Sequence, residues 1–171
     1  MLASGLECVE IMGQIDADLK MAERYLLHYE KELAEYEAAK AAFMAGQQGQ
    51  CGGRGNLPGK PVEAQAIRGV EFDNSYVGYP WLKAVEIVQR SLGERKNIFI
   101  QVRREAEKKK LTTEKGGRPA WVGYLQTVYA ERLAERFAMP PSVWSERTIR
   151  AWWGRLVARV MEVALYIKKN L

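Results

Sequence analysis

An apolar repeat of seven residues runs through the first quarter of the chain. The apolar residues form two rows, each with a spacing of seven residues. The first row consists of Ile15, Ala22, Tyr29, Tyr36 and Phe43, and the second row, four positions further on, consists of Leu19, Leu26 and Leu33; together the two rows form one apolar seam. Such a stripe lies on one face of an α-helix. We therefore predict a long helix within residues 1–44, which packs against another helix of the same chain or against a second copy.

A segment rich in Gly and Gln interrupts this pattern. Residues 45–61 read AGQQGQCGGRGNLPGKP and have no apolar period. Gly and Pro at such density are typical of a flexible linker. Residues 62–78 are ambiguous between a turn region and a short extended piece, so the whole of 45–78 is assigned to the linker.

A second apolar stripe predicts a second long helix in residues 79–110. Pro80 fits its first position. The inward positions are spaced by three, four or seven residues: Trp81, Val85, Val88, Leu92, Phe99, Val102 and Ala106. The two predicted helices have similar lengths, which favours an antiparallel hairpin. The basic end RREAEKKK, residues 103–110, is interpreted as a solvated helix terminus, with phosphate contact as the alternative.

Two further helices are predicted in residues 118–171. The first can begin at Pro119 and must end near Phe137, because two prolines follow at 140 and 141. The second runs from Glu146 to near the C-terminus, and no stretch alternates with the period of a strand. The sequence predicts an all-α fold, in which a long helical hairpin is followed by a C-terminal helix-turn-helix-like helical domain.

The charge is distributed unevenly along the chain. Residues 1–78 carry 7 Lys and Arg against 12 Asp and Glu, a net charge of −5, whereas residues 79–171 carry 19 against 9, a net charge of +10. A basic half beside an acidic half suggests a polyanionic partner for the basic half. The alternatives are attraction between the two halves and a self-complementary dimer.

Few residues suited to catalysis or metal binding are present. The one histidine, His28, has no convergent partners, and Cys8 and Cys51 lie outside any Cys/His cluster. We expect no enzyme, no metal and no cofactor. The chain has no signal-peptide pattern and no apolar run near the ~18 residues that span a bilayer. We therefore expect a cytoplasmic protein without a membrane partner.

The stretch SERTIRAWWGRLVARVME, residues 145–162, carries the clearest functional signal. Ser145 is a strong N-cap residue, and Trp144 with Ile149 fits a hydrophobic staple that docks the helix start. In a helix-turn-helix, the first turns of the second helix enter the major groove of DNA. The residues expected to face the DNA are Arg147, Thr148, Arg150, Ala151, Gly154, Arg155 and Arg159.

Each of these residue types has a chemical reason to lie at a DNA surface. Arginine can fork onto guanine O6 and N7 or hold phosphates, so we assign Arg147 and Arg150 to base edges. Arg155 and Arg159 lie further along and suit the phosphate backbone. Small residues in the same turns allow the helix backbone to approach the duplex closely.

Residues 133–157, LAERFAMPPSVWSERTIRAWWGRLV, resemble the sigma-region-4-like helix-turn-helix that closes many phage regulators. The layout is similar to that of the ArpU/RinA-type phage late-gene transcription regulators, whose N-terminal helices correspond here to ERYLLHYEKEL (23–33) and YPWLKAVEIV (79–88). The residue-by-residue match comprises Ser145, Glu146, Arg147, Thr148, Ile149 and Arg150. The resemblance implies sequence-specific binding of double-stranded DNA in phage or prophage transcription, with RNA polymerase and a second copy as further candidate partners.

Two features depart from this pattern. The connection AMPPSVW, residues 138–144, is several residues longer than the usual helix-turn-helix turn. Of the pair Trp152 and Trp153, one belongs in the core and the other is a contact surface or a cover over the preceding helix. The alternative functions are a helical phage assembly or adaptor protein and a small-terminase-like packaging subunit.

Overall fold

A computed structural model describes residues 4–46, 61–111, 120–138, 140 and 142–171, and within these ranges the protein is all-α, as predicted, with no strand. The described residues form seven helices: α1 (Ser4–Leu27), α2 (Tyr29–Gly46), α3 (Pro61–Ser75), α4 (Tyr79–Ser91), α5 (Glu94–Lys108), α6 (Ala120–Phe137) and α7 (Glu146–Lys169). None of these helices is both long and apolar enough to cross a membrane.

The predicted first helix is present as α1 and α2, with a bend at His28 between them. Backbone hydrogen bonds continue across the bend, from the His28 amide to the Arg24 carbonyl (2.9 Å) and from the Glu32 amide to the His28 carbonyl (3.0 Å). The buried Glu32 carboxylate accepts a 2.9 Å bond from Arg24 Nε, which bridges the two helices. The seam contacts α3, α4, α5 and α7 of the same chain, apart from the exposed Ile15.

The linker assignment of 45–78 is wrong for residues 45 and 46, which end α2, and for residues 61–75, which form α3; residues 47–60 lie outside the described residues. Phe72 explains the packing of this helix. Its buried ring lies 5.3 Å from that of Phe43 and 5.7 Å from that of Tyr36, measured between centroids. Aromatic contacts of this kind fix a helix that has no continuous apolar stripe of its own.

A polar contact adds to the packing of α3 on α2. Asp73 accepts hydrogen bonds from the Tyr36 hydroxyl and from Lys40 Nζ, the latter at 2.6 Å. The outward residues Ile67 and Val70 are exposed. This mixture of inward and outward apolar residues obscures the helical period in the sequence.

The prediction of one helix over 79–110 is also wrong, because the chain breaks at Leu92 and Gly93 into α4 and α5. Both residues have extended backbone, with ψ of 143° and 162°. Asn97 Nδ2 donates to the carbonyls of Gln89 (3.3 Å) and Leu92 (3.2 Å). These bonds satisfy groups that a helix end leaves without partners.

One apolar cluster joins the N-terminal and C-terminal helices. It contains buried side chains of α1, α4, α5, α6 and α7, among them Leu26, Val85, Phe99, Leu125 and Val160. Helix α7 packs against α4, α1 and α6, and α5 packs against α6. The predicted C-terminal pair therefore shares its core with the N-terminal helices and does not stand apart from them.

Arg103 lies in this core, although the sequence places it in a solvated helix end. Its side chain is 6% exposed, and its guanidinium carbon lies 4.5 Å from the Trp121 ring centroid and 5.2 Å from that of Trp153. Arg103 Nη1 donates to Glu107 at 2.9 Å. A cation between two indole rings ties α5 to α6 and α7.

Candidate nucleic-acid interface

The start of α7 is fixed by a side-chain cap. Ser145 Oγ accepts a hydrogen bond from the Thr148 amide (3.2 Å) and lies 2.8 Å from the Thr148 hydroxyl. This confirms the predicted N-cap. The Thr148 hydroxyl is engaged in the cap, so its first role at this position is structural.

The last residue before the N-cap of α7, Trp144, lies beside the middle of α6. Gln126 Nε2 donates to the Trp144 carbonyl at 2.9 Å, and the Trp144 ring lies 5.6 Å from that of Tyr129. Tyr129 precedes the end of α6 at Phe137 by eight residues, or about 12 Å at the helical rise. Helix α7 therefore begins beside the middle of α6, whereas a short turn would start it at the end of the preceding helix.

The two adjacent tryptophans of α7 pack in different places. Trp153 is buried, and its Nε1 donates to Glu23 Oε1 of α1 at 2.7 Å. Trp152 is half-buried. The centroid of its ring lies 4.1 Å from that of the Trp144 ring and 5.9 Å from that of the Phe99 ring. Trp153 is thus the member of the pair that lies in the core, and Trp152 covers α5 and the α6–α7 connection.

The outward face of α7 is cationic between residues 147 and 159. Six of the seven residues expected at the DNA are exposed, and Thr148 is partly buried: the exposed ones are Arg147, Arg150, Ala151, Gly154, Arg155 and Arg159. The opposite face is held in the core by Ile149, Leu156 and Val160. No acidic residue occurs between 147 and 161.

The four arginines differ in their contacts. Arg150 Nη2 lies 2.5 Å from Glu146 Oε1, and Arg159 Nη1 lies 3.2 Å from Glu162 Oε2. Arg155 Nε donates to the Ala151 carbonyl at 3.3 Å. The Arg147 side chain has no hydrogen-bond or ion-pair partner among the described residues. None of the four arginines pairs with an acidic side chain of α1 or α2 that the structure describes.

Contacts between the acidic and basic halves lie elsewhere. Lys108 Nζ is 2.8 Å from Glu30 Oε2, and the bond from Trp153 to Glu23 joins α7 to α1 through an indole rather than an arginine. Among the described side chains, no contact between the two halves therefore uses an arginine of α7, and Arg150 and Arg159 pair with acidic residues of α7 itself.

A cleft beside this face brings in a cation that the sequence pattern does not single out. It has a volume of about 390 Å³ and lies between the α4–α5 turn and α7, with Leu92, Lys96, Trp152, Arg155, Leu156 and Arg159 as its lining. Lys96 is 59 residues from Arg155 in the chain. Only the break at Leu92 and Gly93, which the sequence pattern misses, positions it here.

No family model, no curated protein and no solved structure matches the chain.

Proposed function

We propose that the outward face of α7 binds double-stranded DNA. One observation carries this proposal: four arginines are exposed between residues 147 and 159 of a helix whose other face is anchored in the core, and no acidic residue lies between 147 and 161. A rigid helix with arginines on one side suits phosphates and guanine edges, which accept bidentate hydrogen bonds.

The dimensions of this face support the proposal. From residue 147 to residue 159, a helix rises about 18 Å, and the major groove of B-DNA, ~12 Å wide, admits a helix. Ala151 and Gly154 lie at the centre of the face and present almost no side chain. We assign Arg147 and Arg150 to base edges, and Arg155 and Arg159 to phosphates.

At the level of biology, we propose a sequence-specific regulator of phage or prophage transcription. Support for this step comes from the resemblance of residues 145–150 to the motif of the ArpU/RinA-type regulators. Because α7 begins beside the middle of α6, the helix would approach the groove differently from the second helix of a short-turn motif.

Titration of duplex DNA at several salt concentrations tests the phosphate assignment. Each phosphate contact that is removed lowers the slope of log affinity against log salt by about 0.9. We expect Arg155→Ala to lower the slope by that amount. Arg90→Ala is the matched control, because Arg90 is exposed on α4 and paired with Glu86 at 2.5 Å. An unchanged slope for Arg155→Ala contradicts the assignment.

A helical assembly or adaptor protein is a second candidate, favoured by exposed apolar side chains outside the cationic face. Met12, Ile67 and Val70 are 58–67% exposed on α1 and α3. Measurement of the mass in solution separates the candidates: a monomer or dimer fits a regulator, and a ring fits a small-terminase-like packaging subunit. Oligomers without salt-sensitive DNA binding would favour the adaptor.

A further inference from the structure

The cleft between the α4–α5 turn and α7 has the charge of an anion site. Lys96 of α5 and Arg155 and Arg159 of α7 line it, and none of its lining residues is acidic. The acidic residue of α5 closest to Lys96 in the sequence is Glu94. Its carboxylate accepts a 2.5 Å hydrogen bond from Arg136 Nε of α6. Of the three cations, Arg159 is paired with a carboxylate, that of Glu162 on α7 at 3.2 Å, whereas Lys96 and Arg155 have no carboxylate partner among the described residues.

Lys96 is the least engaged of these cations. It is exposed, and its side-chain ammonium makes no hydrogen bond or ion pair with any other residue in the described part of the chain. Arg155 and Arg159 each use one nitrogen in contacts within α7, which leaves the remaining N–H groups of each guanidinium for a ligand. An anion in the cleft could thus be held from both sides.

The floor of the cleft is apolar. Leu92, Trp152 and Leu156 form it, and Trp152 is held in place by the rings of Trp144 and Phe99. A bare phosphate gains nothing from such a surface, because it would lose hydration without making hydrogen bonds to the floor. A sugar–phosphate chain suits both parts, since its deoxyribose has apolar edges and its phosphates reach the cations.

We propose that one strand of the bound duplex crosses this cleft, with a phosphate held between Lys96 and Arg155 and a deoxyribose against Leu92 and Trp152. This inference rests on the proposed DNA binding of α7, and it extends that interface onto the start of α5. Lys96 then becomes a phosphate contact outside the helix that carries the recognition residues.

The salt dependence of DNA binding by Lys96→Gln tests the inference. We expect the slope to fall by about 0.9, so that the loss of affinity between 50 and 200 mM salt becomes about three- to fourfold smaller than in the wild type. The effect should be equal for all duplex sequences, because phosphates carry no base identity. Lys96→Arg should restore the wild-type slope. Lys83→Gln is the control, as Lys83 lies on α4 and pairs with Glu86 at 2.8 Å.

One result overturns the inference while the proposed function stands: an unchanged slope in Lys96→Gln when Arg155→Ala lowers it. If the wild type shows no salt-dependent binding of duplex DNA, the proposed function fails, and the inference fails with it.

Discussion

Gly78 and Gly154 show how differently the structure uses the same residue. A Cβ added to Gly78, at the turn between α3 and α4, would overlap the Tyr25 hydroxyl and the Tyr76 ring. A Cβ added to Gly154 of α7 would meet nothing within 4 Å. Gly78 is therefore required by packing. Gly154 destabilises its helix slightly and leaves the outward face of α7 without a side chain at this position.

We predict opposite effects for the two alanine variants. Gly78→Ala should lower the free energy of unfolding by about 1–3 kcal/mol, because the rings must move. Gly154→Ala should raise it by about 0.5–1 kcal/mol, because alanine is the better helix former, and should weaken DNA binding if the duplex approaches the backbone there. Urea unfolding and DNA titration of both variants measure this. Equal stabilities for the two variants would contradict the packing at Gly78.

At the same scale, the sequence predicts local roles better than long-range ones. The cap at Ser145 and the outward placement of Arg147 follow from spacing alone, because both depend on neighbours within one or two turns. The core position of Arg103 does not, since Trp121 and Trp153 that enclose it come from helices distant in the chain. Lys96 is missed for the same reason.

Among the helices, α5 and α6 are joined by a buried tyrosine. Tyr129 is 1% exposed, its ring lies 5.4 Å from that of Phe99, and its hydroxyl donates to the Arg95 carbonyl at 3.2 Å. Burial raises the pKa of Tyr129 to about 12. Deprotonation of this hydroxyl is therefore opposed as long as the two helices remain packed.

This shift predicts a loss of stability at alkaline pH. The folded state holds the Tyr129 proton more tightly than the unfolded chain, whose tyrosine titrates near pH 10, so the stabilisation is complete below about pH 10 and is lost as pH rises towards 12. The free energy of unfolding should therefore fall by about 2–3 kcal/mol over this pH range. In Tyr129→Phe this part of the pH dependence should vanish, as followed by urea unfolding from pH 8 to 12. A wild-type pH profile retained in the variant would rule out this cause.

The helix boundaries follow the sequence where a chemical stop signal exists. Prolines after Phe137 end α6, and Ser145 begins α7. The apolar pattern does not predict the break at Leu92 and Gly93, because Leu92 and Phe99 are seven residues apart and continue the helical spacing across it. The pattern does not predict helix α3 either, because its inward side is defined by aromatic contacts with α2 and not by an apolar stripe of its own.

For the whole molecule, the defining feature is the double role of α7. One side of this helix packs against α1, α4 and α6, and the other presents four arginines to solvent. Among the described side chains, the acidic half of the chain contacts α7 through the hydrogen bond from Trp153 to Glu23 and makes no ion pair with these arginines. The fold thus separates a rigid core from a cationic face, and DNA binding should be removable without unfolding the protein.

The most direct test of DNA binding by α7 is the affinity for duplex DNA of a fourfold variant: Arg147→Glu, Arg150→Glu, Arg155→Glu and Arg159→Glu. We predict a loss on the order of a hundredfold or more at moderate salt, with the free energy of unfolding changed by no more than about 1 kcal/mol, since the surface ion pairs contribute little. The control reverses four exposed cations elsewhere: Lys20, Lys31, Arg90 and Lys109. Affinity retained in the first variant, or lost equally in both, would contradict the proposal that this face binds DNA.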